Sequence, residues 1–263
     1  MMLLRKSDNE TPTQLSYRRM LTINLIGLAV VYVLWNVPAL DFIVYPLRLF
    51  VTYVHEAGHS LMALLTGGRV ISFVVNSDGS GLATTAGGTR ALILPAGYIG
   101  AAFFGAALFY LTNTFRRPRT LAFGLGGLLI FFTLMYSGVG SSGAPLAFLV
   151  GILSGAALIG MGWKLSRDVN LLVLSVLAMM TGLNALLDLW YIVQSPNVSG
   201  AQGMVRNDAA AFSQNVAPIF PASIWALIWA LIAVGMLGAA IYYSLLRPLL
   251  KDAEKDASVG KKD

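Results

Sequence analysis

Long apolar runs alternate with short polar breaks along nearly the whole chain. Leu21 to Trp35, about Phe42 to Leu65, Ala91 to Thr112, Leu121 to Tyr136, Leu146 to Trp163, Asn170 to Val193 and Ile224 to Leu246 are each predominantly apolar. The hydrocarbon core of a bilayer, about 30 Å thick, takes about 20 such residues in a helix. The pattern therefore predicts an all-α polytopic membrane protein with about six or seven transmembrane helices. Val37-Pro38-Ala39 faintly resembles a signal-peptide cleavage site, but the run before it is long for a signal peptide and reads as an uncleaved helix. Between Gly67 and Gly88 the pattern changes. Arg69 to Val75 is rich in β-branched and aromatic residues, Asn76 to Gly81 is a turn signal, and Leu82 to Ala86 is a returning strand. A short β-hairpin is expected there, either as a plain surface loop or as a strand edge to which an extended peptide can add. Later, Ser195 to Pro221 is polar, with a short helix around Asp208 to Gln214. Polar tails of residues 1–19 and 247–263 flank a single membrane domain of residues 20–246.

Composition supports the membrane reading. Hydrophobic residues make up 57% of the chain and charged residues 11%, against about 25% charge in soluble domains. Mean hydropathy is +0.72. The net charge of +6 would raise the question of nucleic acid in a soluble protein. Here the basic residues sit at the ends of apolar runs, where they anchor helices at lipid headgroups. The expected partner is the lipid bilayer, with no nucleic acid. Cysteine is absent, which excludes a disulfide framework and any thiolate metal ligand.

The candidate chemistry is concentrated in His55-Glu56-Ala57-Gly58-His59. These are the only two histidines, and Glu56 is the only glutamate outside the polar tails. On a helix, positions i and i+4 share a face, so both imidazoles can reach one metal ion. Glu56 stands between them, placed to act as general base on water at the metal. That is the physical content of the H-E-x-x-H zinc hydrolase motif.

Catalytic zinc takes three protein ligands and keeps one position open. Without cysteine or a third histidine, elimination leaves aspartate. Asp78 belongs to the expected turn, Asp168 adjoins Arg167, and Asp41 lies about 20 Å from His55 along a continuous helix. Asp188 is flanked on both sides by apolar helix, where a carboxylate costs at least about 2.5 kcal/mol and needs a partner. His59 and Asp188 each lie about 8 to 9 Å inside the end of their own run. Three intervening spans make the two helices run the same way. Asn184, one turn before Asp188, is a candidate to hold the ligand or polarise a substrate carbonyl. Asp208 is the rival third ligand, because a loop can fold back over the site.

These residues resemble the site-2 protease family of intramembrane zinc metallopeptidases, in its compact bacterial branch without a PDZ domain. The resemblance is carried by His55 to His59, by Gly67-Gly68-Arg69 and the hairpin stretch, by Leu94-Pro95-Ala96-Gly97-Tyr98-Ile99-Gly100, and by Asp188. It spans roughly Phe42 to Val193. In that family the third-ligand aspartate is usually followed by glycine, whereas this chain reads Leu187-Asp188-Leu189. The resemblance implies one zinc ion held by His55, His59 and Asp188, with Glu56 activating a water at the metal. It implies a multi-pass protein of a bacterial cell membrane that cuts transmembrane segments of other membrane proteins, as in regulated intramembrane proteolysis.

Sidedness is the difficult point. Basic residues cluster at Arg5, Lys6, Arg18 and Arg19, at Arg116, Arg117 and Arg119, at Lys164 and Arg167, and in the carboxy-terminal tail. Seven strict crossings would put the first cluster opposite the other three, against the positive-inside rule. Either the amino terminus lies outside, or the His55 segment re-enters instead of crossing. Both versions put the metal site nearer the outer face, whereas the resemblance implies an opening to the cytoplasm. Two other classes compete with the protease. A non-catalytic membrane scaffold has no need of Glu56, and a metal-binding transporter calls for several buried carboxylates. The sequence leaves the oligomeric state open.

Overall fold

The computed structural model describes residues 17–115, 117–137, 144–196 and 207–251. Most of the two expected tails, Arg116, residues 138–143 and residues 197–206 lie outside the described residues. The elements run α1 (Tyr17–Asn36), a 3-10 turn, α2 (Asp41–Leu65), β1 (Arg69–Val75), β2 (Gly81–Ala86), α3 (Arg90–Ile93), α4 (Ala96–Thr114), α5 (Pro118–Tyr136), α6 (Ala144–Lys164), α7 (Arg167–Gln194), α8 (Asp208–Asn215) and α9 (Ala222–Ile241). The seven long helices coincide with the seven apolar runs, and the hairpin and the short α8 form where the pattern predicts them. Five helices, α1, α5, α6, α7 and α9, are long and apolar enough to cross a membrane. The chain is an integral membrane protein. The other two long helices, α2 and α4, pack against each other and bring His55, Glu56, His59 and Gly97 together.

Several contacts fix which helix ends lie together. Arg19, near the start of α1, is ion-paired with Asp168 at the start of α7. Asn24 of α1 donates to Asn113 near the end of α4, at 2.6 Å. Arg119 at the start of α5 donates to the Leu165 carbonyl just beyond α6, at 3.2 Å. The start of α1, end of α4, start of α5, end of α6 and start of α7 therefore share one end of the molecule, the basic end. The continuation of α9 through Tyr242–Leu246 packs against α4 and α1, which brings Arg247 there too. Six helices, α1, α4, α5, α6, α7 and α9, alternate between this end and the far end.

The seventh long helix, α2, makes no net crossing. It begins five residues after the far end of α1. It runs antiparallel to α4, with Phe50 against Phe104 (ring centroids 6.1 Å apart) and Gly58 against Ala96 at the far end of α4. Both of its termini thus lie in the far half of the molecule. This course of α2 fits the re-entrant one of the two topologies the basic clusters allowed.

The hairpin packs onto α2 at this far end. Its strands are antiparallel, with Phe73 opposite Ala83 and a bulge between Val70 and Ser72. Two hydroxyls of α2 hold the turn: Tyr45 donates to the Ser77 carbonyl at 2.9 Å and Thr52 to the Gly79 carbonyl at 2.7 Å. Tyr53 of α2 packs its ring against Phe73 (4.8 Å) and Phe132 of α5 (6.3 Å), and its hydroxyl meets Thr133 at 2.8 Å. Elsewhere the bundle is drawn together by small residues, as helices in lipid are. A Cβ on Gly105 of α4 would stand 2.6 Å from the Gly182 nitrogen of α7, so these two backbones touch directly.

Candidate metal centre

The helical turn from His55 to His59 does what its spacing requires. The two Nε2 atoms face each other at 3.1 Å. Between them and the rest of the protein stands Asp208, whose Oδ2 is 3.3 Å from His55 Nε2 and 3.2 Å from His59 Nε2. Among the described residues these three form a group able to hold a metal ion. Burial alone would raise the Asp208 carboxyl, but the imidazoles against it, His59 foremost, hold it below the ordinary carboxylate range.

Asp208 arrives from the connection between α7 and α9. Asn207 caps α8, its Oδ1 accepting from the Ala210 N–H at 2.7 Å, which sets Asp208 at the first helical position. One turn on, Phe212 packs edge-on against Trp225 and Trp229 of α9, with centroids 4.7 and 5.5 Å away. Trp225 in turn donates from Nε1 to the Ala217 carbonyl at 3.1 Å. This aromatic cluster clamps α8 to α9 and thereby points Asp208 at the histidines.

Asp188, the aspartate that elimination favoured, is not in this group. It lies within electrostatic range of His55, so the depth argument placed it at about the right level. Its side chain, however, is exposed on α7 and accepts from Asn184 Nδ2 at 3.0 Å. Depth along a helix says nothing about the direction a residue faces. The expected partnership of Asn184 with Asp188 is present, but it forms beside the three-residue group.

The donor set fits a zinc ion. His59 Nδ1 lies 2.7 Å from the Ile93 carbonyl, and a carbonyl can only accept, so Nδ1 carries a proton and Nε2 is the ring nitrogen turned toward His55 and Asp208. Two imidazole nitrogens and a carboxylate oxygen 3.1–3.3 Å apart match the edge of about 3.3 Å in a tetrahedron with ligands at roughly 2.0–2.1 Å. Gly97, the second residue of α4, leaves the space open. A Cβ there would come within 2.6 Å of His55 Cε1 and closer still to both Nε2 atoms. Gly58, inside the motif, allows α4 to come this near, because a Cβ on it would overlap the Ala96 carbonyl oxygen.

Glu56 is 6% exposed and points the other way around the turn, toward β2. The Ala83 backbone N–H faces its carboxylate. A Cβ on Gly81 would stand 2.6 Å from Glu56 Oε1, so the start of β2 is moulded to this side chain. Tyr98 completes the surroundings, edge-on to His55 with centroids 4.5 Å apart and stacked on Trp229 at 6.4 Å. The sequence reading had no role for Gly81, Gly97 or Tyr98 at the metal. Gly97 and Tyr98 lie in the Pro95 to Gly100 stretch, read only as a point of likeness, and Gly81 closes the expected turn.

The family described as Peptidase M50B-like matches residues 24–240, which is most of the chain and takes in every residue of this centre. No curated protein and no solved structure matches it. The M50 peptidases are in general zinc-dependent, in keeping with the two imidazoles and the carboxylate brought together here. A match over that length decides the kinship: the chain belongs to the Peptidase M50B-like family, the membrane metallopeptidases of the site-2 protease type.

Proposed function

We propose that the protein is an intramembrane zinc endopeptidase of a bacterial cell membrane, hydrolysing peptide bonds in or near transmembrane segments of other membrane proteins. The observation that carries this reading is the meeting of His55, His59 and Asp208 within 3.3 Å, with a buried glutamate on the same helical turn as the two histidines. In this reading those three residues hold the zinc, and Asp208 replaces Asp188 as third ligand. When bound, zinc supplies Lewis acidity, making water more acidic and polarising the scissile carbonyl. Glu56 takes the proton from the attacking water and delivers it to the amine nitrogen as the C–N bond breaks. The Ile93 carbonyl holds the His59 ring and its tautomer in place. Asp208 brings the negative charge that two neutral imidazoles lack. A substrate helix must unwind to present its backbone, and the edge of β2 facing Glu56 offers N–H and C=O groups on which an extended segment can lie.

The test is a paired measurement on purified protein: zinc content and cleavage of a membrane-spanning substrate. Glu56→Gln should keep its zinc and lose cleavage by about 10²–10⁴-fold, the usual contribution of a general base. Asp208→Ala should lose zinc, and Asp188→Ala should keep it. Equal cleavage by wild type and Glu56→Gln sinks the mechanism, and zinc loss in Asp188→Ala alone reverses the ligand assignment.

A further inference from the structure

Hydrolysis of an amide puts charge on two atoms. As water adds to the carbonyl carbon, a proton leaves the water and the π pair passes to the carbonyl oxygen, which becomes an oxyanion. Glu56 answers the first need but, as a carboxylate, has no hydrogen to offer the second. Hydrogen-bond donors aimed in advance at that oxygen are a large source of rate in a site shielded from water. Several donors around His55, His59 and Asp208 are already engaged. Thr52 donates to the Gly79 carbonyl at 2.7 Å, and His59 Nδ1 to the Ile93 carbonyl at 2.7 Å. Asn184, the residue the sequence put forward to polarise a carbonyl, turns its amide to Asp188 at 3.0 Å and lines a cavity between α1, α2 and α7.

Tyr98 differs from all of these. It follows Gly97, whose missing side chain leaves room beside both Nε2 atoms, so the first turn of α4 delivers its ring to the group. The ring stands edge-on to His55 at 4.5 Å and stacks on Trp229 at 6.4 Å with an interplanar angle of 29°. Trp229 is buried and braced in turn by Phe212, so the Tyr98 ring is held between α2 and α9. Its hydroxyl lies within electrostatic range of Asp208, Asp188 and Glu56 together. Tyr45 and Tyr53 engage their hydroxyls with the Ser77 carbonyl and with Thr133. Among the described residues, no group accepts a hydrogen bond from the hydroxyl of Tyr98. A phenol O–H is a neutral donor, and at Tyr98 it is left for something that enters the site.

We infer that Tyr98 is a catalytic residue, its hydroxyl donating a hydrogen bond to the scissile carbonyl oxygen and stabilising the charge that oxygen gains, a role that rests on the proteolysis reading above. The water oxygen bonds to the carbonyl carbon while its proton passes to Glu56. The π pair moves to the carbonyl oxygen, where the Tyr98 hydrogen bond meets it; the phenol keeps its proton throughout. On collapse the pair returns to form C=O, the C–N bond breaks, and Glu56 delivers its proton to the amine nitrogen. The two residues belong to different walls of the site. Glu56 is fitted against the start of β2 and Tyr98 against α9, so a peptide group lying between them meets a base on one side and a donor on the other. Burial strengthens such a bond, because water does not compete for the oxyanion.

Tyr98→Phe keeps the ring and its packing and removes only the hydroxyl. On purified full-length protein in nanodiscs with a membrane-spanning substrate, kcat should fall by about 10²–10³-fold, the usual cost of losing one such donor. KM, zinc content and the thermal melt should match wild type. A second readout needs no turnover. Two peptides of one sequence compete for the site, one with a phosphinic group at the scissile position, whose charged tetrahedral oxygens mimic the oxyanion, and one with a reduced amide, which has no oxygen there. Tyr98→Phe should weaken the phosphinic peptide by at least tenfold and leave the reduced amide within twofold. An unchanged kcat, equal weakening of both peptides, or loss of zinc from Tyr98→Phe overturns the inference, the last two by showing a merely structural role. Wild-type protein that cuts no membrane substrate and binds neither peptide removes the proteolysis reading, and this inference with it.

Discussion

Replacing Gly97 by alanine should abolish metal binding while leaving the bundle folded. The added methyl would lie 2.6 Å from His55 Cε1 and closer to both Nε2 atoms, about 1 Å inside ordinary contact, where carbon atoms prefer roughly 3.5–4.0 Å. Something must yield by that amount. Withdrawing α4 would open the packing of Gly58 on Ala96 and of Gly105 on Gly182, where backbones already touch, and a gap of 0.5–1 Å forfeits about a quarter to a half of each dispersion contact. Turning the imidazoles aside is the cheaper response, and it removes two of three ligands. The expected loss is at least about 100-fold in zinc affinity, equivalent to about 2.7 kcal/mol. Zinc would be measured by elemental analysis and by competition with a chelating dye on protein in nanodiscs, with a thermal melt to establish folding. Gly235→Ala is the control, since nothing lies within 4 Å of a Cβ there. A folded Gly97→Ala protein binding one zinc with wild-type affinity would refute the geometry of the centre.

Two further substitutions separate the base and the clamp from the ligands. Gly81→Ala should push the Glu56 carboxylate aside, because its Cβ falls 2.6 Å from Oε1; kcat should drop by more than tenfold with zinc content intact, and unchanged kcat would show that β2 does not position the base. Phe212→Ala removes the ring wedged between Trp225 and Trp229, a truncation worth about 3–5 kcal/mol in a packed core. Its expected result is weaker zinc binding and faster hydrogen exchange confined to α8, and a global loss of stability with zinc affinity preserved would contradict the clamp.

Much of this was readable from residue order. Apolar run length fixes the long helices, since each run either suffices to span lipid or does not. The β-branched stretch from Arg69 to Val75 with the Asn76 to Gly81 turn fixes the hairpin, and the i, i+4 spacing fixes the two imidazoles. The third member of the group was legible only as a choice of two. Asp188 had the right depth, but the direction it faces depends on how α7 is rotated by packing against α4, through Gly105 and Gly182. Asp208 reaches the site because Phe212, Trp225 and Trp229 meet in space, and no local pattern announces that meeting. The re-entrant course of α2 was visible as an inconsistency in the charge pattern, which the contact between Arg19 and Asp168 resolves.

The route by which Asp208 joins His55 and His59 also sets when the three can meet. Both imidazoles and Glu56 emerge together in one turn of α2, but Asp208 follows His59 by 149 positions. At about 5–20 residues per second, synthesis takes roughly 7–30 s to cover that interval. The aromatic rings that aim Asp208 come later still, in α9. Until α9 has inserted, the nascent chain holds an incomplete pair of imidazoles beside a poised glutamate. On the reading proposed above, the set of ligands is complete only when the last helix packs, so the centre would hold no metal throughout its own insertion.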